Sequence, residues 1–325
     1  MADEITVLFT SAGRRNQLID CFRRDAEELG LRLRVLAADL RPELSSACHA
    51  ADAAFAVPRC TSEEYVPQLL EIARAEGVKL VVPTIDPELG PLSRQQAQFA
   101  KLGTRVVVSE PGVVALAGDK QATAERLAAA GVTTPATCAL VEYMAAPDRL
   151  RWPVVVKPRS GSASVGIVRP MTREELDGLD AAADSIVQEL WRGTEYTVNM
   201  FFDASGTLRC AVPHRRIEVR AGEVSKGRTE RIPRLLEAAE LIASAISGAA
   251  RGPLCFQAIV DDTGACGVFE INARFGGGYP LAHRAGARFS RWLLQEATGV
   301  LSDASTDWRT GVTMLRYDAA VFIDE

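Results

Sequence analysis

The stretch LCFQAIVDDTGACGVFEINARFGGG, residues 254–278, constrains this chain more than any other. Two apolar runs, Cys255–Val260 and Cys266–Ile271, flank Asp261-Asp262-Thr263-Gly264-Ala265. Runs of strand length around such a turn predict a β-hairpin turning at Thr263-Gly264. With a symmetric turn, residues equidistant from it face each other, so Gln257 lies opposite Glu270. Side chains alternate along a strand, which puts Asn272 on the face of Glu270 and Gln257. Phe256, Ala258, Val260, Phe269 and Ile271 fall on the other face, toward a core. One carboxylate and two amides on a rigid surface are hard oxygen donors, suited to Mg2+ that takes its remaining ligands from phosphates. Polar residues alternating on a hairpin equally describe a plain solvated face, and the rest of the chain decides between the two.

In the first third, strands and helices alternate. Strands are expected at Ile5–Thr10, Arg34–Ala38, Lys79–Pro83 and Arg105–Ser109, and helices at Asn16–Leu29, Tyr65–Glu76 and Glu88–Leu102. That alternation implies a parallel sheet with helices on both faces. The first loop holds one glycine, Gly13, so the G-x-G-x-x-G dinucleotide fingerprint is absent, and Asp39 reads as a loop or cap residue. From Asp119 the pattern changes. A helix starts near Lys120. Strands follow at Arg151–Pro158, Ile167–Pro170, Ser185–Leu190, Tyr196–Phe202, Leu208–Val212, Ile217–Val219 and Glu223–Ser225, with helices over Arg173–Ala182 and Leu235–Ala250. Strands joined by tight turns imply an α+β architecture. The fold class expected is therefore α/β plus α+β, in two or three units over 325 residues.

Composition removes several classes of function. A net charge of −5 supplies no basic field to collect a nucleic acid. No apolar run reaches the length of a membrane span. The seven cysteines form no Cys-x-x-Cys pair and only three His occur, which argues against zinc. Scattered reduced cysteines and a start lacking the basic, apolar pattern of a signal peptide suggest a cytoplasmic protein.

Lys157 closes the apolar strand VVVKP and is followed by Arg159-Ser160-Gly161-Ser162-Ala163-Ser164-Val165-Gly166. Small residues let the backbone close over a polyanion, to which its N–H groups and the hydroxyls of Ser160, Ser162 and Ser164 can donate. A plain Ser/Gly turn is the alternative. A lysine buried at a strand end needs a compensating charge, and a phosphate supplies one. Gln188, Glu189 and Leu190 end another apolar strand whose backbone can read an adenine edge. Glu195 can accept from ribose hydroxyls or stand as a surface acid.

Taken in order, Asp119-Lys120, VVVKP with its loop, VQEL…GTEYTV, and FEINARFGGG after Gln257 resemble the ATP-grasp superfamily. The flavour is that of the carbamoyl-phosphate synthase large subunit. The resemblance covers about residues 113–300, and the preceding part is similar to the family's Rossmann-like first domain in architecture only. It implies three units: a Rossmann-like domain at 1–112, a small lid subdomain at 113–188 and a C-terminal ATP-grasp subdomain at 189–325. It also implies roles. Lys120 and Lys157 would touch ATP phosphates, with Ser160–Gly166 as the lid over them. Gln188, Glu189 and Leu190 would line the adenine hinge, and Glu195 would hold ribose. Gln257, Glu270 and Asn272 would bind Mg2+, with Mn2+ a possible substitute, and Arg274 would face the transferred phosphoryl group.

The activity implied is ATP-dependent joining of a small carboxylate to an amine through an acyl phosphate, with ADP and phosphate released. Phosphoryl transfer needs alignment and charge neutralisation rather than a covalent nucleophile, which suits these residues. A carbamoyl-phosphate- or carboxyphosphate-forming enzyme and an idle ATP-binding module remain alternatives. On the substrate side, Arg14 can clamp a carboxylate and Asp86 an amine, or both can serve as cap and turn residues. Arg216 and Lys226, in a basic stretch between Val212 and Arg231, can reach substrate or phosphates, or line a solvated strand pair. The partners expected are small molecules, with no nucleic acid, no membrane and a homodimer left open.

Overall fold

The computed structural model describes residues 4–161, 166–179 and 184–323. Ser162 and Ser164, and the final residues of the helix expected over 173–182, lie outside the described residues.

The first unit is built on β1 (Glu4–Thr10), β2 (Arg32–Asp39), β3 (Ala53–Ala56), β4 (Leu80–Pro83) and β5 (Arg105–Val106). All pair in parallel, in the order β3-β2-β1-β4-β5. β1 is central because both its faces are apolar, the mark of a strand covered on both sides. Ile5, Val7 and Phe9 enter one core with Phe22 and Trp292, while Leu8 enters the other with Leu36, Val81 and Leu254.

A small antiparallel sheet follows, made of β6 (Thr137–Ala139), β7 (Val154–Pro158) and β8 (Ser185–Glu189) in the order β6-β8-β7. The strand expected at Ile167–Pro170 reduces to one bridge, Val168 to Val156. The largest sheet comprises β9 (Thr194–Phe202), β10 (Leu208–Arg220), β11 (Glu223–Thr229), β12 (Gly252–Val260), β13 (Cys266–Asn272) and β14 (Thr313–Leu315). Its order is β13-β12-β9-β10-β11-β14, with every pair antiparallel. The two short strands expected at Leu208–Val212 and Ile217–Val219 are one strand, β10, bent by register shifts near Glu218.

Two features lock the last unit onto the first. Asp25, fully buried on the helix Asn16–Glu28, accepts from His283, Ser290 and Arg288 on or next to the helices Tyr279–Ala285 and Phe289–Ala297. Burial pushes its carboxyl pKa up, but the bonds from His283 and Ser290 and the charge of Arg288 outweigh this and hold it below the usual range. Beside it, Phe9, Phe22, Phe275 and Tyr279 make successive aromatic contacts at 5.1, 6.0 and 4.7 Å. Phe275 thereby ties the chain just after β13 to the helix Asn16–Glu28, beside its neighbour Arg274.

Among the described residues, no helix is long and apolar enough to cross a membrane. All seven cysteines are free.

Candidate active site

A cavity of about 570 Å³ opens between the small sheet, the largest sheet and the loops at the carboxyl ends of β1 and β4. Its volume suits a small-molecule ligand. Ligands of open α/β sheets sit at those strand ends.

The hairpin meets the expected register where it matters: Gln257 pairs with Glu270, and Cys255 with Asn272. Asp261 builds the turn, its Oδ1 accepting from the Thr263 and Ala265 N–H groups at 2.9 Å while Gly264 takes φ +81°. Beyond Gln257 the register slips, and Ala258 faces Val268. That bulge corrects one expectation. Phe269 is not on the core face with Phe256 and Ile271; the extra residue turns it into the cavity, where Lys157 Nζ lies 5.5 Å from its ring centroid.

Gln257, Glu270 and Asn272 all line the cavity. Asn272 Nδ2 approaches Glu270 Oε1 at 3.4 Å, and Asn272 Oδ1 accepts from Arg274 at 3.2 Å. A carboxylate flanked by two amides fits the donor chemistry of Mg2+ completed by phosphate oxygens. Arg274 is itself anchored: its Nη2 donates to Asp86 Oδ2 at 2.6 Å and its Nη1 to the Phe275 carbonyl at 3.1 Å. Burial lowers its pKa, but Asp86 outweighs this and the guanidinium stays charged. Asp86, expected to face a substrate amine, is thus Arg274's counter-ion.

Across the cavity, Lys157 is buried and donates to Gln188 Oε1 at 2.9 Å. Gln188 Nε2 in turn donates to Thr137 Oγ1 at 2.8 Å. Burial pulls the Lys157 pKa down to about 8; Glu270 opposes this and Lys120 adds to it. Lys120 donates to the Gly161 carbonyl at 2.6 Å, and burial lowers its pKa too, against Glu270, Asp86 and Asp119. Its helix begins at Asp119, whose carboxylate caps the N–H groups of Gln121 and Ala122 and is held by Arg159. Ser160 and Gly161 line the cavity, with Gly161 at φ +112°. Gly166 is at φ +73°, and a side chain there would meet the Pro158 ring at 2.9 Å.

Gln188, Glu189 and Leu190 line the cavity, with several of their donors engaged within the fold. Gln188 spends its side chain on Lys157. The N–H groups of Glu189 and Leu190 already donate to the carbonyls of Ala136 and Pro153 at 2.9 and 2.8 Å. A base edge beside this strand therefore finds both donors engaged. Apolar walls for a flat ring exist in Val155, Ile167, Leu190, Ile259 and Phe269.

Glu195 lines the cavity, paired through its Oε1 with Arg216 Nε at 2.8 Å. Arg216 lines the cavity as well and also donates to Thr197 and to the Gly222 carbonyl, bracing the β10–β11 turn. Lys226 does not reach the site. It is exposed on β11, paired with Glu218 on the neighbouring strand at 2.7 Å, and outside the cavity lining. Arg14 lies at the rim, 71% exposed.

Two groups escaped the sequence reading. Glu88, fully buried, accepts from the Thr84 and Ile85 N–H groups, Tyr65 and Ser11, which shapes the loop carrying Asp86. Its position near a helix start, three residues after Ile85, was the available signal. The other is Glu223, which gathers Arg14, Arg15 and Arg316. No local pattern announces contacts so distant in sequence.

Oxygen donors on an antiparallel sheet facing buried lysines on a smaller one, behind a parallel first domain, define an ATP-grasp arrangement. Comparison with known families agrees. Residues 117–278 match the ATP-grasp domain and residues 7–107 the PylC-like N-terminal domain. The chain belongs to the ATP-grasp superfamily. A D-alanine–D-alanine ligase of Marinomonas sp. (strain MWYL1) is 32% identical over 120 residues, covering 34% of this chain and 38% of that protein. The match thus spans well under half of the relative. Among solved structures, the biotin carboxylase domain of Hydrogenobacter thermophilus 2-oxoglutarate carboxylase, in complex with MgADP, ADP and bicarbonate, superposes with a TM-score of 0.75 at 18% identity, covering 95% of this chain and 73% of that one. N5-carboxyaminoimidazole synthetase from Staphylococcus aureus gives 0.71 at 16% identity, covering 94% and 80%. At these identities the likeness is one of fold.

Proposed function

We propose that this protein is an ADP-forming ligase that joins a small carboxylate to an amine through an acyl phosphate. The observation that carries this reading is the placement of Gln257, Glu270 and Asn272 across one cavity from Lys120 and Lys157, with Arg274 beside the oxygen donors. ATP would occupy the apolar slot, its phosphates reaching the two lysines. Gln257, Glu270 and Asn272 would hold Mg2+, or Mn2+ in its place, which neutralises charge on the phosphate oxygens. Arg274 would meet the phosphoryl group in transfer. The Ser160–Gly166 segment would close over the phosphates, and Glu195 would accept from ribose hydroxyls.

In this reading the protein's own contribution is electrostatic. The lysines and Arg274 put fixed positive charge where the γ-phosphoryl moves toward the carboxylate oxygen. The amine then attacks the acyl carbon, and inorganic phosphate leaves with the electron pair. Likeness to a D-alanine–D-alanine ligase makes amino acids the first substrates to try. The 1–112, 113–188 and 189–325 units, a cytoplasmic setting and a homodimer belong to the same proposal.

The test is a nucleotide-release screen with paired amino acids and small carboxylates, following ADP, AMP, phosphate and pyrophosphate together. ADP and phosphate in step with an amide product are the expected result. AMP and pyrophosphate would remove the acyl-phosphate reading. Bicarbonate-stimulated ADP release without an amine would favour the carboxyphosphate alternative, and ATP binding with no turnover the idle module.

A further inference from the structure

The carboxylate of Glu223 is ringed by three guanidinium groups from distant parts of the chain. Arg15 Nη1 lies 3.0 Å from it, Arg316 Nη1 2.9 Å and Arg14 Nη2 3.9 Å. Arg15 also donates to the Thr84 carbonyl at 3.3 Å, and Arg316 to the Gly277 carbonyl. Gly277 is bare for a reason: a Cβ there would lie 2.7 Å from the Glu223 carboxyl carbon. Arg14, Arg15 and Glu223 line the cavity beside the Asp86–Arg274 pair, while Arg316 braces Glu223 from outside the lining.

Three arginines against one glutamate leave an excess of two positive charges, and Arg274 is already matched by Asp86. Side chains of Arg15, Glu223 and Arg316 are only 19%, 24% and 23% exposed, so water compensates them poorly. Burial and the neighbouring Arg274, Arg316 and Arg14 depress the Arg15 pKa against the pull of Glu223. An anion entering here relieves that repulsion.

The backbone supplies an independent sign. Among the described residues, two non-glycine residues hold positive φ: Ser11 at +48° and Ala221 at +50°. An L-residue adopts this conformation only against steric strain between its Cβ and the following carbonyl oxygen. Ser11 delivers the loop bearing Arg14 and Arg15. Ala221, with Gly222 at φ +77°, makes the tight turn that aims Glu223. Strain of this kind concentrates where a side chain must be held in one place for a ligand.

We propose that Arg15, oriented by Glu223 and with Arg14 at the rim, binds a carboxylate that the reaction does not consume. Resting on the ligase reading above, this makes one substrate doubly functional. Either the amine is an amino acid, whose own carboxylate docks here, or the acyl substrate is a dicarboxylate. Glu223, ion-paired to Arg15 and Arg316, keeps excess anions such as free phosphate from settling as firmly as they would on bare arginines.

Calorimetric titration tests this, run with and without MgADP. The probes are D- and L-amino acids against their decarboxylated amines, and short dicarboxylates against monocarboxylates of equal length. Removing the second carboxylate should weaken binding by roughly tenfold or more, the loss of one charge-assisted bond. Arg15→Gln should erase that preference, and Arg14→Gln, at the exposed rim, gives a second reading should Arg15→Gln misfold. A preference among amines assigns the site to the nucleophile, and one among acids to the acyl substrate. Probes that bind equally well with and without the extra carboxylate, or not at all, overturn the inference. Failure of the wild-type protein to bind MgADP breaks the ligase reading instead.

Discussion

Arg274 and Asp86 stand 188 residues apart in the chain and 2.6 Å apart in space. One follows β13 of the largest sheet, and the other opens the helix after β4 of the parallel sheet. Their pair joins the two units across the cavity and points a guanidinium along the face of Asn272. A group that must stabilise charge in transit gains from being fixed beforehand, and Asp86 together with Phe275 does the fixing.

Arg274→Lys should therefore lower turnover by roughly 10²-fold, the usual effect of removing a preorganised donor. Nucleotide affinity should change little, because in the proposed reading Lys120 and Lys157 would hold the ground state. Steady-state kinetics paired with MgADP titration separate the two. A variant that keeps its maximal rate but loses nucleotide would make Arg274 a ground-state residue.

Asp86→Asn should act through Arg274. It strips a largely buried guanidinium of its counter-ion, so both thermal stability and turnover should fall. If Asp86 works only by positioning Arg274, Asp86→Asn in an Arg274→Lys background should cost much less than in the wild type. Additive losses would show that Asp86 touches substrate independently.

Glu270→Ala should abolish turnover while the melting temperature stays close to that of the wild type. It is the single carboxylate of the donor set, and Gln257 and Asn272 bring no charge to hold Mg2+. Near-normal activity at saturating Mg2+ would place the metal elsewhere.

The hairpin carrying these residues was readable because turn symmetry and alternation both pointed to Gln257 opposite Glu270. The bulge that turns Phe269 into the cavity was not read, although it left a trace. Gly267 interrupts the strand, and a Cβ there would meet the Trp191 ring at 2.7 Å. Glycine within a strand marks a bulge or a close approach. Lys226 was grouped with Arg216 on composition, but strand pairing sets it against Glu218 at the surface. That the first sheet is parallel followed from strand–helix alternation, whereas its edge strand β3, four residues long, carried no signal. The Glu223 cluster did not, since Arg15 and Arg316 converge only through the packing of the first and last parts of the chain.

Gln188 offers a test that separates base from phosphate recognition. Its side chain bridges Lys157 and Thr137, so Gln188→Leu should weaken ATP and ADP binding while adenosine binding and the preference for ATP over GTP stay put. One lost bond to a charged group corresponds to roughly 10-fold or more in affinity. A variant that instead accepts GTP would make Gln188 a reader of the base.

Lys157 predicts a pH dependence of a definite sign. Burial disfavours its ammonium and brings the pKa from the ordinary 10.5 to about 8. In the free protein, Lys157 is therefore largely charged below pH 8 and largely neutral above it. Phosphates favour the charged form, so binding a nucleotide should raise this pKa. Between about pH 8 and 10 the complex then holds more protons than the free protein, and affinity should fall as pH rises through that window. Stability of the free protein should run the other way. Over the same window the unfolded chain, with its lysine near 10.5, binds more protons than the folded one, so unfolding free energy should increase with pH. Calorimetry of ADP binding at pH 8.5 in two buffers of different ionisation enthalpy should report proton uptake, absent at pH 6.5. Lys157→Met should remove both the uptake and the pH slope. Uptake that survives in Lys157→Met would assign the titration to another group, with Lys120 next to be tested.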